Sequence, residues 1–318
     1  MLVTVNRLVF RGTALKLVLM LAITAHSLLS VAADSTHMVA RPSLNWRTLE
    51  LLDSGLTGSL TTRIELRPLT AAELQAALLH APDMISPRLA GSRILELEVA
   101  NSIRLLLGTG IESQSRLWFN EGDGLPLQLM RVRRGSKPSQ KLYRFGNRQV
   151  YRLRRQPADR AEKEQPAERW SEVSESFYPL PEGDDTCPVI LESSQLFYLL
   201  SGPDTEPGDS GGALCVFDRQ RVYRVEFRVL GREPHDVNYL QLDASQETRV
   251  KGNMEALHVT LSGRPLDGAP ADVQPFSFLG LQGDIQLLLS DPGRIPLRVR
   301  GQLPGFGIIE LELVELSR

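Results

Sequence analysis

The stretch that decides the fold is Leu196–Gly231, LFYLLSGPDTEPGDSGGALCVFDRQRVYRVEFRVLG. It opens on an apolar helix end, Leu196-Phe197-Tyr198-Leu199-Leu200, passes through a Pro/Gly/Asp turn and closes on two strand-like runs. In the second run Tyr223, Val225, Phe227 and Val229 alternate with Arg224, Glu226 and Arg228. That period of two puts one face of a strand in a core and the other in water. Half-wet, half-buried strands mark antiparallel sheets, whereas parallel strands buried on both faces read as continuous apolar runs.

The same period recurs outward from this stretch. Leu60, Thr62, Ile64 and Leu66 alternate with Thr61, Arg63, Glu65 and Arg67, and Leu95, Leu97 and Val99 flank Glu96 and Glu98. Tyr143 and Phe145 lead into Gly146-Asn147, a tight hairpin signal, and Tyr151 and Leu153 return. Near the end Ile295, Leu297 and Val299 oppose Arg298 and Arg300, and Ile309, Leu311 and Leu313 oppose Glu310 and Glu312. Two helices are predicted. One covers Ala71–His80, opened by the capping box Thr70-Ala71-Ala72-Glu73 and ended by Pro82. The other covers Val189–Leu200, with Ile190, Leu191, Phe197 and Leu200 apolar, a helix of the kind that plugs the open side of a curved sheet. The expected fold is mainly β, an antiparallel twisted half-barrel or barrel-like sheet around a short helix, with a small N-terminal αβ extension. The expected divisions are a signal segment at 1–33, an extension and linker at 34–92, and a β-rich domain at 93–318. Within that domain Gln156–Glu168, charged and flanked by prolines, reads as a mobile loop.

At 318 residues the chain is long enough for a core that needs no staples. Arg7, Arg11 and Lys16 precede an apolar run from Leu17 to Leu29, and Val31-Ala32-Ala33 supplies small residues before Asp34. These are the parts of a secretory signal peptide, so periplasmic export with cleavage after Ala33 is expected. The run is shorter than the roughly 20 residues of a spanning helix, and the mature chain is expected to be soluble. Removing three of the 36 basic residues and none of the 38 acidic ones moves the formal net charge from −2 to −5. A weakly acidic chain gives no reason to expect nucleic acid or an anionic membrane surface as the main partner; the partner expected of an exported chain is a lipid or another envelope component. Cys187 and Cys215 are the two cysteines, and an oxidising compartment allows a disulfide between them as well as two separately buried thiols.

Candidate chemistry is sparse. Gly208-Asp209-Ser210-Gly211-Gly212 is the pentapeptide around the nucleophile of trypsin-like serine proteases. Such a serine needs a histidine base and an aspartate to orient it. His26 lies inside the signal, His37 just past it, and His80 late in a helix with no cysteine beside it; His235 and His258 follow the serine. Ala213 stands where that motif continues with proline, and turn chemistry before a strand accounts for the pentapeptide. No catalytic residue is therefore expected, and a hydrolase using Ser210 is the minor alternative. No cofactor or metal site is expected either: the cysteines are 28 apart, and no HExxH, CxxC, P-loop or GxGxxG occurs. Asp184-Asp185, in a Pro/Gly loop, is a weak calcium candidate. From Arg131 to Arg155 there are ten basic residues and no acidic one. They read either as an anion-binding surface or as a solvated hairpin face. The acidic run Asp159–Asp185, nine carboxylates against three basic residues, favours the solvated face by neutralising them.

Three blocks carry a family resemblance. They are the hairpin Lys141–Pro157, the helix-turn-strand stretch Gln195–Glu233, and the terminal segment running from Leu288 through Arg294-Ile295-Pro296-Leu297 and Pro304-Gly305-Phe306-Gly307 into alternating Glu and Leu. On these the chain resembles the bacterial secreted family known as domain of unknown function 3108, over about Leu95 to Leu316. The resemblance implies a β-rich envelope protein of Gram-negative bacteria and brings no catalytic residues. The expected role is a non-enzymatic binding or scaffolding module, with an apolar ligand or partner in the concave face of the sheet.

Overall fold

The computed structural model describes residues 44–55, 58–82, 93–105, 110–181, 187–202, 211–268 and 275–318. The signal segment, the connector after Pro82, Asp184-Asp185 and Ser210 lie outside them. Among the described residues the alternating runs form fifteen strands of one sheet. The first five are β1 (Thr48–Gly55), β2 (Gly58–Leu69), β3 (Ile94–Leu105), β4 (Ile111–Asn120) and β5 (Pro126–Arg133). Next come β6 (Ser139–Phe145), β7 (Gln149–Gln156), β8 (Glu172–Pro179), β9 (Ile190–Glu192) and β10 (Gly212–Asp218). The last are β11 (Arg221–Asp243), β12 (Gln246–Pro265), β13 (Gln282–Ser290), β14 (Pro296–Leu303) and β15 (Gly307–Ser317). Three short helices accompany them, α1 (Ala71–Ala77), α2 (Arg160–Lys163) and α3 (Gln195–Leu200).

The sheet order is β8-β7-β6-β5-β4-β3-β2-β1-β15-β14-β13-β12-β11-β10-β9. Two antiparallel meanders thus share a seam, where the first strand pairs with the last from Thr48↔Ser317 to Leu52↔Glu312. The segment expected as an N-terminal extension is accordingly built into the middle of the sheet. The place of β1 could not have been read from local pattern, because one of its partners is β15, at the opposite end of the chain. A second closure lies within the other meander. β11 breaks register at a bulge between Val229 and Gly231, where Gly231 takes φ +143°, a conformation that favours glycine. Beyond the bend Leu240–Leu242 run parallel to Glu315–Ser317, closing β11 to β15 into a ring.

The concave side is filled. α3 buries Leu196, Phe197, Tyr198 and Leu200 there. Phe197 meets Trp46 edge-on and stacks on Phe278, both at 6.0 Å between ring centroids, and Tyr198 meets Phe119 at 5.1 Å. Each buried apolar side chain of this plug contributes about 1.5–3 kcal/mol. The helix is shorter than the predicted Val189–Leu200. Ile190-Leu191-Glu192 instead forms β9 and pairs in parallel with Cys215–Phe217. A disulfide joins Cys187 to Cys215, with Cα atoms 5.5 Å apart, and fastens this short strand at its start. A bridge across a 28-residue separation contributes about 3–4 kcal/mol on a chain-entropy account.

Two more local readings change. α1 ends three residues before His80. The Gln128 side chain, almost fully buried, accepts from Leu79 N at 2.6 Å and donates to Ala77 O at 2.9 Å, replacing the next turn. The loop read as mobile is ordered. Asp159 caps α2 by accepting from Glu162 N at 2.8 Å, and the Glu162 carboxylate accepts from Ala158 N and Ser171 N. Trp170 is buried and donates from its indole to Glu162 O at 2.9 Å. Charges that composition assigns to solvent here satisfy backbone N–H groups.

Phe197→Ala is expected to cost about 3–5 kcal/mol, the range for emptying a fully buried aromatic position. Chemical denaturation of the oxidised protein measures it, and a loss under 1 kcal/mol would mean that α3 is not a structural plug.

Candidate functional site

The main-core face of β3 to β7 is organised in cross-strand rows. One row, Leu97–Leu117–Leu129–Tyr143, is buried core. The next, two residues along each strand on the same face, runs Val99–Ser115–Arg131–Lys141–Arg154. Directly opposed residues on neighbouring strands are about 5 Å apart at Cβ, and like charges so placed repel. Three successive strands therefore put three cations in line where the core gives way to a cavity of about 710 Å³. The row beyond supplies Asn101, Ser113, Arg133 and Ser139 to the same cavity.

The opposite wall comes from the other arm of the sheet. Ser193 and Ser194, between β9 and α3, line it together with Asp218 at the end of β10 and Ser277. Glu192 lies beneath, fully buried, and accepts from Arg131 Nη2 at 2.6 Å, Ser193 Oγ at 2.9 Å and Ser194 N at 2.8 Å, and also from Ser194 Oγ. Arg131 Nη1 sits 3.7 Å from Asp218 Oδ1, and Asp218 Oδ2 accepts from Ser277 N at 3.1 Å. Gln195 fixes the carboxylate's backbone by accepting from Glu192 N at 2.9 Å and donates to Gly124 O at 2.8 Å. β5 is thereby tied to β9 and β10, strands at the far end of the sheet order.

The electrostatics are uneven. Burial works against the Arg131 charge, but Glu192 and Asp218 more than offset it and raise its pKa. Burial pushes the Asp218 carboxyl up from 3.8 to about 6, against the pull of Arg131 and Arg219. Burial, and then Arg154, Arg131, Arg152 and Arg133, push Lys141 down from 10.5 to about 8. Lys141, Arg133 and Arg154 have no hydrogen-bond or ion-pair partner among the described residues, and the Arg154 Nε atom is buried without one. Of the charged residues lining the cavity, six are cationic (Arg131, Arg133, Lys137, Lys141, Arg154 and Arg219) and two, Glu172 and Asp218, are acidic.

This overturns the reading of the basic run as a solvated, internally neutralised face. The acidic run meets it at Glu168, which accepts from Gln140 Nε2 and, at its carbonyl, from Arg155 Nη1, and at Glu172, which lines the cavity but pairs with neither Lys141 nor Arg154 among the described residues. The row Arg131–Lys141–Arg154 points the other way. The rest of the run serves the fold: Arg144 donates to Leu127 O, and Arg152 lies over the Tyr178 ring. Tyr143, Phe145 and Tyr151 are buried, Tyr143 and Phe145 in the main core and Tyr151 on the other face. Glu192 and Asp218 were not singled out from sequence. The available signal was a carboxylate closing each of two apolar runs, Val189-Ile190-Leu191 and Leu214-Cys215-Val216-Phe217.

Of the protease-like pentapeptide, Gly211 and Gly212 are described. Gly211 has φ +97°, a Cβ there would run into the Phe227 carbonyl, and one on Gly212 would strike the Phe227 ring. Both glycines are explained by packing of β10 on β11. His235 contacts Glu312 at 3.1 Å and His258 contacts Glu233 at 3.4 Å, on β11, β12 and β15.

No family model matches this sequence, and no curated protein is similar to it. Among solved structures it is similar to the crystal structure of a β-barrel-like protein of domain of unknown function DUF1849 from Brucella abortus. That match has 11% identity and a TM-score of 0.42, and it covers 85% of this chain and 94% of the other.

Because its folded pKa lies above the free value, Asp218 contributes stability at low pH that is lost as pH rises through about 6. Asp218→Asn lacks this dependence. Relative to wild type, the variant is expected to gain on the order of 1–3 kcal/mol between pH 4 and pH 7.5 in urea denaturation. A constant difference across that range would show that the carboxyl is not perturbed.

Proposed function

We propose that the chain is an exported, non-enzymatic binding module of the bacterial envelope whose ligand sits in the polar cavity beside α3. The observation that carries this reading is the cation row facing a 710 Å³ cavity, with Lys141 and Arg154 unpartnered among the described residues. The volume falls within the range of small-molecule sites, about 300–1,000 Å³. The concave face, the expected seat of an apolar ligand, is occupied by the aromatic side chains of α3 and its neighbours. A polar ligand therefore replaces the apolar one in this proposal. Export rests on Arg7, Arg11, Lys16 and the apolar run before Ala33, and the envelope setting on the family resemblance.

Native mass spectrometry of protein exported to and purified from a Gram-negative periplasm tests both parts. The expected result is a chain beginning at Asp34 and carrying a small polar adduct that is lost on denaturation. Ser115→Trp, which fills the cavity floor between Val99 and Arg131, is expected to abolish the adduct without lowering the melting temperature by more than a few degrees. An adduct that persists in a folded Ser115→Trp protein would place binding elsewhere, and an adduct-free wild type would remove the binding reading.

A further inference from the structure

We propose that the ligand of this cavity is a phosphomonoester of a hydroxylated, sugar-like body, with its phosphate on Lys141 and Arg154 and its hydroxyls on the serine-rich wall. The inference rests on the binding reading above and narrows it to a chemical class.

Charge selects the head. Arg131 already faces Glu192 and Asp218, at 2.6 and 3.7 Å. Its neighbours in the row, Lys141 and Arg154, have no such partner among the described residues, and Arg133 lies two residues beyond Arg131 on β5. Two uncompensated cations side by side match a group of charge about −1.5 to −2, which a phosphomonoester carries near neutral pH. A carboxylate or a sulfate ester carries one charge and would leave a partly buried cation unmatched. Arginine adds the planar donor fork that suits phosphate oxygens, and lysine adds a point charge. Lys141 is squeezed between arginines on both neighbouring strands, a repulsion that an anion relieves.

Volume and polarity select the body. A lone phosphate leaves most of 710 Å³ empty, so the phosphate is attached to something larger. Beside the cations, in the same two rows, the lining is Asn101, Ser113 and Ser115 on β3 and β4, and across from them it is Ser193, Ser194 and Ser277 on the other arm. Hydroxyl and amide groups pair with hydroxyls, whereas an acyl chain would strip them of water and return nothing. The same head could be presented free or at a lipid surface, so both sources are probed.

The test is calorimetric titration of the mature, oxidised protein at low salt with glucose 6-phosphate, glucose 6-sulfate, glucose and inorganic phosphate. Glucose 6-phosphate is expected to bind at least tenfold more tightly than the sulfate or inorganic phosphate, with glucose silent. Lys141→Met and Arg154→Gln are each expected to weaken it tenfold or more. Lys141→Met should melt no lower than wild type, because it removes a repelled charge; lost binding in a folded variant then reports the site. Phosphatidylcholine vesicles doped with phosphatidic acid distinguish the source: capture reversed by glucose 6-phosphate assigns the head to a lipid, and binding of the soluble ester alone assigns it to a free metabolite. Equal affinity for phosphate and sulfate esters, or unchanged affinity in both variants, overturns the ligand class. A native adduct that Ser115→Trp abolishes but that contains no phosphorus does the same, and leaves the binding module standing.

Discussion

Two buried carboxylates and one guanidinium hold the two arms of this sheet together. Glu192 and Asp218 stand at the ends of β9 and β10, Arg131 on β5, and ten of the fourteen steps of the strand order separate β5 from β10. Such an assembly costs several kcal/mol per ion in lost hydration. It persists because every charge is met: Glu192 by Arg131 and two serines, Asp218 by Arg131 and a backbone N–H. Without the guanidinium two carboxylates would face each other in low dielectric.

The same arginine divides structural charge from spare charge. Toward the other arm it completes a closed network. Along its own row it adds repulsion, because Lys141 and Arg154 follow it on the next two strands. A core that needed only to close could have filled this row with apolar residues, as the neighbouring row does through Leu117, Leu129 and Tyr143 before Arg152 ends it over the Tyr178 ring. Cations held next to one another, partly out of water and without partners among the described residues, are a cost that folding does not explain and that an anionic ligand does. Conversely, Gly211 and Gly212 of the protease-like pentapeptide look like chemistry in sequence and prove to be clearance for Phe227.

Much of the fold was legible. Period-two alternation identified the strands around Ile64, Leu97, Val225, Val299 and Leu311, and the capping box at Thr70 and Glu73 opens α1 as read. Misreadings arose where a segment's partners lie far away. Ile190 and Leu191 fit a helical face as well as a strand, and pairing with Cys215 and Val216 decides for the strand. Gln156–Glu168 looked too charged to be ordered, yet Asp159 and Glu162 use their charge on backbone donors, and Trp170 anchors the segment.

The sequence by itself determined the class of protein: alternating strands, glycine and proline turns, and enough apolar surface for a single large curved sheet. It also displayed ten basic residues in one run. Only the tertiary structure decided which of them matter. Register puts Arg131, Lys141 and Arg154 in one row, and a shift of one residue would have turned each to the opposite face. The return of the chain through β9 and β10 then neutralises the first and leaves the other two facing a cavity. Charge is a property of residues, but whether a charge is spent or spare depends on what the fold brings within a few ångströms of it.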